Sequence, residues 1–455
     1  MIFILSAMLM ALWGALIALG VAMLARRRFV LGALLVAEGA LAIAVQYALS
    51  TIPVGIGEPL LRIPRNEFLI AAGIGAVVFV VTLVLLLTRR DIAATAFKRK
   101  GAAIALPLVV PLVAAGALWG TSQLSIPERE RERDAGKRSI ELPAGFTANI
   151  YAQGIPDNPT TMAFAPGGRL YIADINGTIW HGDEIAGENK LGPLTKFAEG
   201  FNLLTGLAWR DGELYVSSAG KVEALRDTDG NGEADSRRTL VDNLPALILM
   251  PHSNNSLTFG PDGRLYFGVG STSDGGRETR QYAASILSVS PDGGDVKVVA
   301  TGFGNPFEVA FNQAGDLFSG DNQGLASPDG APPPDELNYI VPGGEYDDLD
   351  LNNANAREPI VQFPAHATPT GLTFYTGSTY PQEFFDNAFA ALWTRGEVAR
   401  IVLNKTPQGE YRASPSVWAS GFLYPIDVVN GPDGNLYIAD FGTSVIYRIT
   451  YDPAQ

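Results

Sequence analysis

One short pattern recurs along the C-terminal two-thirds of this chain and restricts its folding more than anything else in it. The pattern is an apolar pair, a Gly-containing turn, then an alternating strand that opens Leu-Tyr. One copy reads Phe259-Gly-Pro-Asp-Gly-Arg-Leu-Tyr-Phe-Gly-Val-Gly. Before it come Met162-Ala-Phe-Ala-Pro-Gly-Gly-Arg-Leu-Tyr-Ile-Ala-Asp and Leu207-Ala-Trp-Arg-Asp-Gly-Glu-Leu-Tyr-Val. After it come Val309-Ala-Phe-Asn-Gln-Ala-Gly-Asp-Leu-Phe-Ser-Gly-Asp and Val428-Val-Asn-Gly-Pro-Asp-Gly-Asn-Leu-Tyr-Ile-Ala-Asp. A divergent copy over 372–393 carries a Gly-Ser-Thr-Tyr-Pro insertion in place of the tight turn, which makes six units at a spacing of roughly 45–60 residues. Two-residue alternation around a Gly turn marks a β-hairpin. Small sheets of this size cannot bury their own faces, whereas radial stacking buries both. The repeat therefore predicts an all-β, six-bladed propeller over 139–455. Its ring is expected to close where Phe146-Thr-Ala-Asn-Ile-Tyr-Ala pairs beside Val445-Ile-Tyr-Arg-Ile-Thr in the last blade. Ligands of such a ring bind in the loops of one face, here the loops holding His252, Asn305, Asp321 and His366.

Residues 1–125 follow a different rule. Four apolar runs, at about 2–25, 29–49, 68–87 and 102–120, are each long enough to cross a bilayer. The first is a poor signal peptide, because its basic cluster follows the apolar stretch. Arg26-Arg27-Arg28 separates runs one and two, and Arg89-Arg90 with Lys98-Arg99-Lys100 separates three and four. The positive-inside rule puts both loops in the cytoplasm, leaving both termini outside. The expected organisation is a helical transmembrane domain at 1–120, a charged Glu/Arg linker at 121–138 and the propeller at 139–455. The expected location is a bacterial inner membrane, multi-pass, with the propeller on the periplasmic side. The net charge of −14 divides into +6 over 1–125 and −20 over the remainder. A domain that acidic repels nucleic-acid phosphates, so nucleic acid is excluded as a partner. There is no cysteine, which excludes thiol chemistry and cysteine metal sites.

Glu38 lies near the middle of the second run, a depth at which an ionisable side chain marks a functional site by default. Arg27-Arg28 followed by this Glu resembles the K subunit of respiratory complex I, in which the matching Glu belongs to a proton pathway. The second intramembrane Glu of that subunit would fall near Gly73 and is absent. An ordinary anchoring bundle, with Glu38 protonated and hydrogen-bonded, remains the simpler reading.

Four stretches of the propeller resemble the soluble glucose and L-sorbosone dehydrogenases. They are His252-Ser-Asn-Asn-Ser-Leu-Thr-Phe-Gly-Pro-Asp-Gly, Thr301-Gly-Phe-Gly-Asn-Pro-Phe-Glu-Val-Ala-Phe, Pro334-Asp-Glu-Leu-Asn with Gly343-Gly-Glu-Tyr, and His366-Ala-Thr-Pro-Thr-Gly-Leu-Thr-Phe-Tyr. That family holds pyrroloquinoline quinone (PQQ) and Ca²⁺ in a six-bladed propeller and oxidises sugars. The resemblance implies His252 as catalytic base, a role that suits a neutral imidazole. It implies Asn305, Gly324, Leu325, His366 and Arg395 around the cofactor, and Glu336 and Tyr346 at a structural calcium. The chain departs from it at several positions: Gly304, Tyr424 and Ile426 stand where the family has arginines, Pro251 where it has an acidic residue, and Asp347-Asp348 where it has a Trp.

A second candidate metal loop is Asp227-Thr-Asp229-Gly-Asn231-Gly-Glu-Ala-Asp235, with oxygen ligands at positions 1, 3, 5 and 9. Arg238 occupies position 12, so the EF-hand pattern is incomplete. Three readings follow from these residues. The first is a membrane-anchored sugar dehydrogenase using PQQ and Ca²⁺, with the bilayer, a sugar and a membrane quinone or cytochrome as partners. The second is a cofactor-less propeller serving as a binding or assembly module among the subunits of a membrane complex. The third is a calcium-dependent lactonase-type propeller.

Overall fold

The computed structural model describes Ile17, 138–246, 252–273, 278–323, 332–346 and 356–454. The chain divides into two compact units, 1–130 with 248–251 and 131–247 with 252–455. Every element below belongs to the second. Apart from Ile17, the four expected membrane runs lie outside the described residues, as do Glu38, Gly324 and Leu325. Among the described residues, no helix is long and apolar enough to cross a membrane.

Six antiparallel sheets form the blades, each beginning with an inner strand. In chain order these are Pro159–Phe164, Leu204–Arg210, Thr258–Phe259, Asn305–Phe311, Pro369–Phe374 and Pro425–Asn430. The repeated Leu-Tyr segments are the second strands, among them Leu170–Asp174, Leu265–Val269 and Leu436–Asp440. Each pairs with the inner strand before it, so the Gly turn joins the two as expected. The closure is also as expected. Phe146–Ala152 pairs antiparallel with Val445–Tyr451, with Phe146 opposite Tyr451, so both ends of the ring share blade 6.

Apolar cores lie between neighbouring blades. Phe389, Trp418, Ile438 and Tyr447 fill the space between blades 5 and 6, and Phe197, Leu204, Leu214 and Val216 the space between blades 1 and 2. Burying large side chains at about 25 cal/mol per Å² is the main favourable term. Polar bonds then fix the rotation of one blade against the next. Asp427 of blade 6 accepts Met162 N–H of blade 1 at 2.7 Å, Thr205 Oγ1 donates to Asn254 O at 2.8 Å, and Ser256 N–H donates to Phe307 O at 3.1 Å.

Two features depart from the simple repeat. In blade 4 the third strand, Glu336–Ile340, is followed by a segment whose residues Gly344–Glu345 pair parallel with the outer strand of blade 3. In blade 5 the Gly-Ser-Thr-Tyr-Pro insertion folds back so that Tyr380 stacks on Tyr375, with centroids 4.4 Å apart. The Tyr380 hydroxyl donates to Ile449 O at 2.6 Å, tying the insertion to blade 6.

Candidate functional site

Inner strands begin, and second strands end, on the same face of the ring. That face therefore collects His252 and Asn305 at strand starts and Ser271 and Asn322 at strand ends. His366 and Arg395 join them through the loops bounding the Pro369–Leu392 pair of blade 5. An aspartate closes the second strand in three blades, and its carboxylate gathers the backbone of the rim. Asp174 accepts from Asn176 N and Thr178 N, Asp321 from Gly304 N and Asn305 N, and Asp440 from Leu423 N, Tyr424 N and Gly442 N. All three side chains are fully buried.

His252 and Asn305 flank a single glycine. A Cβ placed on Gly270 would lie 2.6 Å from Asn305 Oδ1 and 3.0 Å from His252 Cβ, so only glycine allows the approach. Asn305 Oδ1 accepts from Asn255 Nδ2 at 2.8 Å, and no described residue accepts from Asn305 Nδ2. His252 Nδ1 lies 2.9 Å from Ser271 O. A carbonyl oxygen can only accept, so Nδ1 carries the proton. The imidazole is then a base at Nε2, to which no described residue bonds.

His366 sits in the left-handed region, φ 58°, on the loop entering blade 5. Its carbonyl accepts from the hydroxyls of Thr394 and Thr368. Asp335 clamps the same loop, accepting Gln323 N–H at 2.9 Å and Thr368 N–H at 2.7 Å. Burial raises the Asp335 carboxyl above its usual range, against those donors and nearby His366.

The two residues expected at a structural calcium are already engaged. Glu336 is 1% exposed and accepts from Asn338 Nδ2 at 3.0 Å. The Tyr346 hydroxyl donates to Tyr339 O at 2.6 Å and accepts Val341 N–H at 2.9 Å, while its ring stacks on Phe303.

PQQ has three carboxylates, which need cations or convergent donors. The described rim does not fit it in the way the resemblance implies. A Cβ on Gly304 would collide with Asn322 O, so no larger side chain enters there without backbone movement. Tyr424 stacks on Trp393 with centroids 5.1 Å apart, and Ile426 is 1% exposed in the inner strand Pro425–Asn430. Arg395 is bonded through both Nε and Nη2 to Glu397, at 2.8 and 3.2 Å.

The Asp227 loop lies on the opposite face, at the far end of Lys221–Arg226 from the rim. Carboxylate oxygens of Asp227, Asp229 and Asp235 come within 4.8 Å of one another. Gly232 N–H and Gly230 N–H bond to Asp227 and hold its carboxyl below the usual range, so it is ionised at neutral pH. Asn231 spends its side chain inside the loop, with Oδ1 accepting Glu233 N–H and Nδ2 donating to Asp229. His181 supports the loop from below, donating Nε2–H to Gly232 O at 2.8 Å.

Below the rim, the six inner strands enclose a channel cavity of about 260 Å³. Glu308 and Asp427 lie on its wall. Burial raises both carboxyls, Asp427 to about 6, and Asp427 pushes Glu308 further up. The sequence reading missed this pair, along with Glu278, which binds the loop after Gly270. The alternation of the inner strands is the one signal that could have pointed at the channel acids.

The fold is similar to that of a protein assigned as a glucose dehydrogenase from Thermus thermophilus. That match has 25% identity, a TM-score of 0.56, and covers 67% of this chain and all of that one. It is also similar to the PQQ-bound aldose sugar dehydrogenase of Streptomyces coelicolor, at 20% identity and a TM-score of 0.55, covering 70% of this chain and 99% of that one. An uncharacterized protein of Borreliella burgdorferi is 22% identical over 69% of this chain and 91% of its own length. At the level of fold the propeller resembles the sugar dehydrogenases. Residues 132–453 match the model of the family described as Domain of unknown function (DUF7133), and the chain belongs to that family.

Proposed function

We propose that this chain is a membrane-anchored oxidoreductase of the sugar-dehydrogenase type, acting on a carbohydrate at the mouth of its ring on the outer side of the bilayer. The observation that carries the proposal is the His252 imidazole, bonded through Nδ1 to Ser271 O, with no described residue bonded to Nε2. Nε2 takes the proton of a sugar hydroxyl as the hydride on the same carbon leaves for a quinone-class acceptor. Asn305 Nδ2 supplies a donor beside it for a sugar oxygen. Sugar dehydrogenases among the similar structures, one of them PQQ-bound, support the reading. Arg395, the cation described on this rim, is paired with Glu397, so the rim offers PQQ carboxylates little to bind.

The test uses the purified full chain with a panel of aldoses and a redox dye, with and without added PQQ and Ca²⁺. Aldose-dependent dye reduction is the expected result. Activity appearing only with PQQ would overturn the reading of the rim but keep the dehydrogenase. No activity in either arm would leave the second reading, a cofactor-less binding module, which the close packing at Gly304 favours. Calcium-dependent lactone cleavage would instead favour the third.

The Asp227 loop is proposed as a stabilising Ca²⁺ site, since each carboxylate oxygen keeps a lone pair beyond its loop bonds. Calcium at about a hundredfold above its dissociation constant should raise the melting temperature by on the order of 5 °C. The shift should vanish in Asp227→Asn. An equal shift in the variant would place the ion elsewhere.

A further inference from the structure

The bond that sets the His252 tautomer comes from a loop, and loops hold a carbonyl in place only when something holds the loop. Residues 271–273 leave blade 3 directly after Leu265–Val269 and Gly270. Ser271 N–H donates to Gly304 O at 2.7 Å, which ties the loop to blade 4. Among the described residues, one carboxylate makes more bonds to this loop than any other group. Glu278 accepts from Ser271 Oγ at 2.5 Å, Thr272 N at 2.8 Å, Thr272 Oγ1 at 2.8 Å, Ser273 N at 3.0 Å and Ser273 Oγ at 2.8 Å. Burial by itself would raise this carboxyl. The donors outweigh burial and hold it below the usual range, so it is ionised and accepts from all three residues at once. Charge-assisted bonds of this kind are about twice as strong as neutral ones. Side-chain hydroxyls at three successive positions, Ser271, Thr272 and Ser273, are what allow one carboxylate to gather the turn.

We propose that Glu278 is a positioning residue for His252. By gathering the 271–273 turn around its carboxylate, it fixes the Ser271 carbonyl, and that carbonyl keeps the imidazole proton on Nδ1 and the lone pair on Nε2. Without the carbonyl a neutral histidine favours the opposite tautomer, which presents an N–H to the substrate and cannot accept a proton. The catalytic consequence rests on the reading of His252 as the base. The tautomer itself does not.

The experiment uses the full chain with ring-¹⁵N histidine, and long-range ¹⁵N–¹H correlation spectra at alkaline pH. The chain has only three histidines, His181, His252 and His366, and His252→Gln assigns the signal of interest. The wild-type protein should show His252 protonated at Nδ1. His181 serves as an internal control for folding, because its bond to Gly232 O fixes the proton on Nε2 in another blade. In Glu278→Ala the His252 signal should move toward the Nε2–H form while His181 is unchanged. Aldose-dependent kcat should fall by on the order of 10²-fold with KM little altered. Glu278→Gln, which keeps the shape and one acceptor oxygen, should fall between, and it decides the matter if the alanine variant loses the His181 signal. The inference is overturned if His252 stays wholly Nδ1–H in a folded Glu278 variant, or if the wild-type ring is protonated at Nε2. A wild-type protein without dehydrogenase activity would defeat the functional reading and leave the tautomer result to stand on its own.

Discussion

Replacing Asp174 by Ala is expected to lower the unfolding free energy of the ring by about 2–4 kcal/mol, read as a drop in the urea midpoint. The carboxylate is fully buried and accepts from Asn176 N at 2.9 Å, Thr178 N at 3.0 Å and Trp180 Nε1 at 2.8 Å. Alanine leaves three donors in a part-buried turn without their acceptor, and an unsatisfied buried donor costs about 1–3 kcal/mol. Asn, which retains one acceptor oxygen, should lose less. The exposed Asp211 side chain pairs with half-buried Arg210 at 3.3 Å, so Asp211→Ala should cost no more than about 1 kcal/mol, mostly from its left-handed backbone at φ 50°. The aspartate ending the Leu-Tyr-Ile-Ala-Asp strand thus does for blade 1 what Asp321 and Asp440 do for blades 4 and 6. An effect of Asp174→Ala as small as that of Asp211→Ala would contradict that role.

Asp427→Asn should do the reverse and stabilise the protein above neutral pH. The side chain is 4% exposed on the channel wall, and burial raises its carboxyl to about 6 from an ordinary 3.8, against Met162 N–H, Val428 N–H and Thr161. A carboxyl raised in the folded state contributes stability that is fully present below its unfolded pKa and lost as pH rises through the folded one. The loss therefore falls between about pH 3.8 and 6 and amounts to about 3 kcal/mol above that window. Glu308 is raised well above its ordinary range, first by burial and then by Asp427, and acts in the same direction at higher pH. Asn cannot ionise, and its side-chain oxygen still accepts the Met162 N–H. Melting curves of the two proteins should coincide near pH 4 and separate by pH 8, with the variant higher. Parallel curves across that range would show that the channel accommodates the charge.

The ring was legible because its repeat couples a turn that needs glycine to a strand that needs alternation, and five copies kept both. The divergent copy at 372–393 was legible through its flanking strands, although nothing in the insertion announced that Tyr380 would stack on Tyr375. Gly344–Glu345 was not legible, since a two-residue parallel pairing leaves no periodicity. At the site, His252 stood out as one of three histidines, and its place beside Asn305 follows from the strand starts. Its partner did not stand out, because a backbone carbonyl such as Ser271 O has no side-chain signature. Asp335 was visible inside Pro334-Asp-Glu-Leu-Asn, where a calcium stretch was expected, yet its carboxylate holds Gln323 N and Thr368 N. The departures at Gly304, Tyr424 and Ile426 were visible as letters. What they mean for a cofactor needed the packing around Asn322 O and Trp393.

The most direct measurement is steady-state oxidation of an aldose by the full chain with His252 intact and by His252→Ala, side by side. An imidazole nitrogen to which no described residue bonds, at the ring mouth, predicts that kcat falls by about 10²–10⁴-fold in the variant while the sugar still binds. Equal kcat in the two proteins would contradict the assignment of proton removal to this side chain.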